Sequence, residues 1–452
     1  MSLSRGLVRA IRARPIESAD LTAAAHLLLD AAANIVAGVA SEPGRKLLAW
    51  SSGLGVPGRS SPTDPGRMAL LLGGLCHIQE VDDLHRKSVV HPGCVVAPVL
   101  WALAADRHSG RDVLTAFLHG IEAATRVGMA VGPAHYRIWH NTATCGPFGA
   151  AMAAGALLGL DEDQLVHAMG NAGTQAAGLW EFLEEGAMSK HLHAGRAAEA
   201  GVVSAGLAAH GFTGPSRILE GERGVFRAMC ADGDPARVLA EPGAPWQAHQ
   251  TSIKPWPSCR HTHPAIAAAQ DIRHQLGQAG HAAIDAVVVE AYDAALALCD
   301  RPLPDSTYGA KFSLQHCVAA ALAFDPVDFA AFEADALGAL APLRARIKVG
   351  SAEPYCANYP KRWGSAVTVR LRQGGEIRAA RLDTLGDPEA PLSLAQLTAK
   401  ARTLLNHGGH RAPDRLIAGI LAMADGARLP ALGLHSLTAA PSGSQASAPR
   451  SA

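Results

Sequence analysis

The sequence predicts a mainly α protein in which a large all-helical domain carries a smaller α+β domain. Three observations predict it. Apolar residues recur at three- and four-residue steps near the N-terminus, as Leu28, Ala32, Ile35 and Val39 do. After about Gly280 the texture changes to short stretches rich in β-branched residues. A chain of 452 residues also exceeds what one hydrophobic core usually serves, which makes two domains the natural division.

The helical reading begins at Asp20, a residue type that caps helices. Runs of small residues follow at 149–156 and 194–209, suited to helices whose backbones approach closely in a crowded core, with Gly211 a stop for the second. Ile284–Val289 reads as a strand and Lys311–Phe324 as a helix. Val367, Val369 and Leu371 then alternate before Gly374-Gly375 and a second run from Ile377, which is a hairpin pattern. These elements divide the chain into a discontinuous helical domain, 1–264 with 394–435, and an α+β domain, 265–393. The Ser/Ala/Pro/Gly tail at 436–452 lacks the apolar residues to order itself, and no repeat of solenoid period is visible.

Lys+Arg and Asp+Glu are each 40, so no global field draws the chain to nucleic acid or to an anionic membrane, and any preference for anions must be local. The eight cysteines form no C-x-x-C pair, which argues against zinc ribbons and iron–sulfur loops and for reduced thiols in a cytoplasmic protein. Arginines near the N-terminus are not followed by an apolar stretch, so no signal peptide is expected. The apolar runs 94–105 and 146–160 are too short or too rich in Gly and Ala to span a bilayer, and a soluble protein is expected.

Four clusters could carry chemistry. Glu80, Asp82 and Asp83, followed by His85 and His91-Pro92-Gly93, crowd three carboxylates that repel unless a cation, a helix N-terminus or a titrating partner offsets them; the alternative is a solvated helix end. His140, with Thr142, Thr144 and Gly146, precedes a small-residue helix whose start could face an anion, although a lone His is usually structural. Lys190, His193 and Arg196 fall near one helical face and make a cationic mouth over an alanine-rich interior. Finally, prolines stiffen the run that presents Lys254, Cys259, Arg260, His261 and His263, as catalysis requires; the spacing of these residues matches no fixed zinc pattern, so no metal is expected. Tyr308 and Lys311, with the helix holding Ser313, Gln315 and His316, could complete a pocket wall.

Taken together, Asp82-Asp83 with His91-Pro92-Gly93, the Lys190-x-x-His193-x-Gly195 segment and the run from Lys254 to His263 resemble the MmgE/PrpD family over about residues 17–430. That family includes 2-methylcitrate dehydratase, cis-aconitate decarboxylase and iminodisuccinate epimerase. The resemblance implies that the α+β domain is a lid, that the active site lies in the cleft between domains, and that the protein is a homodimer without a cofactor. By position it carries pocket roles to Glu80, Asp83, His91, His140, Lys190, Lys254, Cys259 and His316. Three positions depart from the family's usual pattern: Glu80 stands for Asp, Leu84 for a hydroxyl residue, and His316 for Tyr.

Removing a proton α to a carboxylate builds charge on that carboxylate, so catalysis needs a base and cations aimed at the oxygens. Asp83, His91, His140, Lys190 and Lys254 are the expected catalytic groups. Glu80, His193, Cys259, Arg260, His261 and His316 are the expected substrate-binding groups. The expected activity is that of a cofactor-independent lyase, a dehydratase or decarboxylase acting on a small di- or tricarboxylic acid. The alternative is an epimerase of an iminodisuccinate-like dicarboxylate, or a polycarboxylate-binding protein, which would have no need of the acidic pair and His91. No Gly-x-Ser-x-Gly elbow or phosphate loop supports a hydrolase or nucleotide enzyme.

Overall fold

A computed structural model describes residues 1–53 and 64–434, so the tail at 436–452 lies outside the described residues. The helical domain is built on α1 (Ser18–Gly38), α2 (Pro65–His77), α3 (Pro92–Leu103), α4 (Gly110–Ala130), α5 (Asn141–Leu158) and α6 (Ser189–Ala209). It is completed by α10 (Leu394–His407) after the lid. The lid contributes α7 (His263–Leu276), α8 (Asp293–Cys299) and α9 (Leu314–Ala323). Its strands are β1 (Ile284–Ala291), β2 (Ile347–Ser351), β3 (Ser365–Leu371) and β4 (Glu376–Arg381).

Small residues set the helical packing. α6 lies between α2 and α5. A Cβ on Gly195 would stand 2.3 Å from the Leu70 carbonyl oxygen, and one on Gly201 would stand 2.3 Å from the Ala150 side chain. The start of α1 differs from the sequence reading: Glu17 is the cap, and Asp20 sits inside the first turn, where its carboxylate accepts the Glu17 N–H at 2.8 Å. α1 is also long and apolar enough to cross a membrane by length and composition, a feature the two shorter apolar runs had hidden; 83% of its apolar window is buried inside the protein.

The lid sheet has the order β2-β1-β3-β4, with β1 and β2 parallel and the other neighbours antiparallel. Val287 pairs with both Ile347 and Val369, and the hairpin closes through Gly374 and Gly375 at φ 88° and 91°. The single helix expected at 311–324 is two, Thr307–Lys311 and α9, because Ser313 breaks the run by capping α9 through the His316 N–H at 3.0 Å. One apolar core joins residues from Leu7 to Ala248 with Leu397 to Leu432, and a second runs from Trp256 to Val369.

Two segments cross between the domains side by side. Ile253 donates its N–H to the Gly386 carbonyl at 2.9 Å, and Leu84–His85 forms a short antiparallel ladder with Thr251–Ser252. The acidic segment after α2 is thereby tied to the crossing that carries Lys254.

Candidate active site

The segment Gln79–Asp83 leaves the end of α2 and is buried, not a solvated helix end: Glu80, Asp82 and Asp83 are each at most 2% exposed. Three ammonium groups from three parts of the chain hold its main chain. Lys311 of the lid donates to the Gln79 carbonyl at 3.1 Å, Lys254 of the crossing to that of Glu80 at 2.6 Å, and Lys400 of α10 to that of Val81 at 2.7 Å. This grip fixes Glu80 at φ 59°, a left-handed conformation that a non-glycine residue keeps only where its surroundings over-determine it.

The Glu80 side chain pairs with the Lys190 ammonium at the start of α6, and Lys254 lies 4.0 Å from Glu80 Oε2 and 3.6 Å from Asp82 Oδ1. Burial works against the charge of Glu80, but Lys190 and Lys254 outweigh it and hold the carboxyl down at about 2. Burial likewise opposes the charge on Lys190, and Glu80 more than offsets it, leaving the ammonium above its ordinary range. Burial brings Lys311 down to about 8, with Lys254 and Lys190 adding to the shift and Glu80 and Glu333 opposing it.

Four imidazoles surround this ion cluster. His77, at the end of α2, meets Asp82 Oδ2 through Nδ1 at 2.6 Å, and His91, the cap of α3, approaches the same oxygen at 3.2 Å. His140 caps α5 and stacks on His77 with ring centroids 5.5 Å apart; its Nδ1 is 3.4 Å from Nδ1 of His193. Despite burial, His77 and His91 hold Asp82 well below the usual carboxylate range. Burial lowers His91 to about 4 and His140 well below its ordinary value, so both rings are neutral at neutral pH.

These groups line a small cavity of ≈ 50 Å³: Glu80, His91, His140, Lys190 and Lys254 face it together with Cys259, Arg260 and His261. Its walls are otherwise apolar and aromatic, from Leu84, Tyr136, Trp180, Leu183, Leu298, Phe312 and Trp363. That space exceeds the roughly 10–15 Å³ that a single water needs. A carboxylate entering it meets two ammonium groups whose charges are balanced by Glu80 and Asp82, with neutral imidazoles beside it as proton carriers.

The structure places several expected residues elsewhere. Asp83 is not among the cavity's lining: its carboxyl receives the Gly93 N–H at 3.0 Å, capping the helix that presents His91, and burial with the nearby Asp82 and Asp30 raises it well above its ordinary value. Arg260 reaches the cavity wall, but its guanidinium is bound to Asp387. His261 stacks on Trp363 at 4.3 Å and bonds the Tyr292 hydroxyl at 2.6 Å. Burial raises the Cys299 thiol, while its hydrogen bond to Cys259 keeps Cys259 the lower of the two. Within α6, Lys190 points into the cavity, His193 lines a separate groove, and Arg196 is exposed on Glu199. Thr142 and Thr144 lie inside α5, not before it.

His316 is corrected outright. It is buried in the lid core, where Nε2 meets the Ala331 carbonyl at 2.8 Å and Arg344 meets Nδ1 at 3.2 Å, because the face of α9 that carries it packs inward. The lid side chains that reach the cavity are instead Leu298, Phe312 and Trp363. Sequence reasoning also missed His77, whose signal was an imidazole five positions ahead of an acidic pair, and Lys400, for which no local signal exists.

Among the described residues, His77, Asp82 and His91 bring one ligand atom each within 4.8 Å of one another, as do Asp383, Asp387 and Glu389. Both sets already carry protein cations. Lys254 faces Asp82 at 3.6 Å, Arg260 and Arg86 meet Asp387, and Arg86 also meets Glu389. A metal ion in either place would confront those charges.

Residues 6–238 match the model of the MmgE/PrpD N-terminal domain and residues 256–423 that of the MmgE/PrpD C-terminal domain. Among curated proteins, the chain is 33% identical over 207 residues to the cis-aconitate decarboxylase-like protein oryM of Aspergillus oryzae, covering 42% of this chain and 43% of that one. It is 29% identical over 233 residues to the cis-aconitate decarboxylase of Aspergillus terreus, with 48% and 47% covered. To the cis-aconitate decarboxylase of Homo sapiens it is 30% identical over 274 residues, with 57% and 55% covered. The chain spans about half the length of the curated relatives it matches.

Proposed function

The chain belongs to the MmgE/PrpD family, and from that premise we propose that it is a lyase that decarboxylates a compact unsaturated polycarboxylic acid of the cis-aconitate kind. The observation that carries the proposal is the convergence of Lys190 and Lys254 on a buried cavity lined by His91 and His140. In this reading the two ammonium groups take the carboxylates that stay on the substrate and stabilise the charge that grows on them. The bond to the departing carboxylate breaks, its electron pair forms the new double bond, and the pair of the old double bond takes a proton from a His91 or His140 ring that has first picked one up from water, so that the ring returns to neutral as CO₂ leaves. The apolar wall of Leu298, Phe312 and Trp363 suits the leaving carboxylate, because a charged group poorly solvated there gains by becoming neutral CO₂.

This chemistry uses only the chain's own acids, bases and cations, and activity is expected to survive chelation. Three observations support a compact substrate: the small cavity, Leu84 in its wall, and the reach of Glu80 into it. The test is to incubate the purified protein with cis-aconitate, 2-methylcitrate, malate and iminodisuccinate in deuterated water. Released CO₂, eliminated water and deuterium at the α-carbon are followed separately. CO₂ from cis-aconitate with one deuterium in the product is the expected result. Loss of water from 2-methylcitrate at a higher kcat/KM than any CO₂ release would replace the decarboxylase by a dehydratase, and exchange without net turnover would replace it by an epimerase.

A further inference from the structure

The small lysine-lined cavity and a larger groove meet at one pair of imidazoles. His140 faces the cavity, and His193 faces a groove of ≈ 620 Å³ bordered by Trp139, Phe182, Ser189 and Arg196. Their Nδ1 atoms are 3.4 Å apart, with the rings tilted by 43°. At that separation, between two neutral rings, one nitrogen carries the proton and the other accepts it.

The surroundings frame this contact. The Gly178 carbonyl accepts the main-chain N–H of His140 at 2.9 Å. Gly178 has φ 131°, and a Cβ there would lie 2.5 Å from the Ala143 side chain and 3.2 Å from Nδ1 of His193, so only glycine leaves the space beside that nitrogen. Trp180 lies over His140 and Phe182 packs edge-on to His193, which holds both rings in place. Among the described residues the Nε2 atoms of His140 and His193 have no protein hydrogen-bond partner, which leaves them for the cavity and the groove. His77 is fully buried and its Nε2 is unpartnered, so it offers no way out.

We propose that His193 and His140 form a two-imidazole relay that passes protons from water in the groove to the reacting carbon in the cavity. The inference rests on the proton-transfer chemistry proposed above. Each decarboxylation consumes one proton, and a substrate that fills the cavity displaces the few waters that could supply it. In one passage a buffer acid or hydronium protonates Nε2 of His193. The Nδ1 proton of His193 moves to Nδ1 of His140, and the Nε2 proton of His140 forms the new C–H bond as the C–CO₂ bond breaks. One proton enters and one leaves, and reversal of the two tautomers resets the pair. Burial lowers His193 to about 4, so the ring hands its proton on and does not hold it. His193 thus acts through His140, as a positioning residue for its proton.

The test uses the full chain with cis-aconitate and the variants His193→Gln and His193→Ala. Gln can keep a hydrogen bond to His140 but cannot hand on a proton. The relay predicts a kcat lowered about tenfold or more in both, within the range one proton-transfer group commonly contributes, at little-changed KM. Added imidazole, which fits the groove, restores kcat in a saturable manner in the variants and leaves the wild type unaffected. A wild-type kcat in His193→Gln, or a loss in both variants that imidazole does not relieve, overturns the relay and returns His193 to a packing role. If the wild-type protein neither releases CO₂ nor exchanges α-protons with any acid tested, it is the proposed function that fails, and the relay falls with it.

Discussion

The ammonium of Lys254 donates to the main-chain carbonyl of Glu80 at 2.6 Å, so the residue that supplies the cavity's carboxylate is also an anchor for one of its cations. Lys190 meets the same residue at the other end, through the carboxylate. Lys190→Met and Lys254→Met are each expected to lower kcat/KM by about 2–4 kcal/mol of transition-state stabilisation. The two differ in stability. Lys190→Met strands a buried carboxylate, at a cost of about 3–5 kcal/mol, and adding Glu80→Gln recovers the melting temperature without recovering activity. Full activity in either single variant would remove the lysines from the substrate's path.

Arg260 and Asp387 join the two crossings between domains. Asp387 also accepts from the Ser252 hydroxyl and the Thr384 N–H at 2.9 Å each. Removing either charge alone leaves the other buried, so Arg260→Met and Asp387→Leu are each expected to destabilise by about 3–5 kcal/mol. The double variant is expected to lose less than the sum, with a coupling of about 1–3 kcal/mol in a double-mutant cycle of denaturant melts. Additive losses would show that the pair does not act as a unit.

His316→Phe tests where that residue works. It leaves the Ala331 carbonyl and an Arg344 N–H without a partner inside the lid, a cost of about 1–3 kcal/mol. The melting temperature should fall while kcat and KM hold. A changed KM at constant stability would put His316 back at the substrate.

Buried imidazoles make stability depend on pH well above the carboxylate range. Burial lowers His85, His191 and His261 to about 3 and His91 to about 4. Unfolded, each titrates near 6.5, so between about 6.5 and 4 the unfolded chain binds more protons than the folded one. Their contribution is complete above about pH 6.5 and is lost on acidification, at about 1–2 kcal/mol for each fully buried ring by pH 5. Glu80, held near 2, loses its contribution only below about pH 4.5. Thermal melts should therefore drop steeply between pH 7 and pH 5, and a flat profile over that interval would contradict the burial of neutral rings.

The chemistry was more legible in the sequence than its assembly. Lys190, Lys254, His91 and His140 announced themselves because ionisable groups among glycines, prolines and alanines have few structural reasons to be there, and all four face the cavity. The hairpin was readable from its alternation and paired glycines. Asp83 and Arg260 carry charge in the right neighbourhood yet turn to Gly93 and Asp387, a choice made by contacts across 10 and 127 positions. His316 misled because its position along α9 says nothing about which face of that helix meets the sheet. The short strand β2 was not readable, since Gly350 and Lys348 break its apolar pattern and its pairing with β1 comes from across the lid.

The three lysines on consecutive carbonyls also order events in time. The Val81 carbonyl and the Lys400 ammonium are separated by 319 positions, and Lys400 also neutralises the buried Asp30. A ribosome makes the acidic segment long before this anchor. A nascent chain that already has α1 to α6 and the lid would keep the Asp30 carboxylate uncompensated and the Val81 carbonyl without its anchor. Competence is therefore expected to arise when α10 docks, not gradually along the chain. Proteolytic loss of α10 should silence the enzyme with every residue lining the cavity still in place.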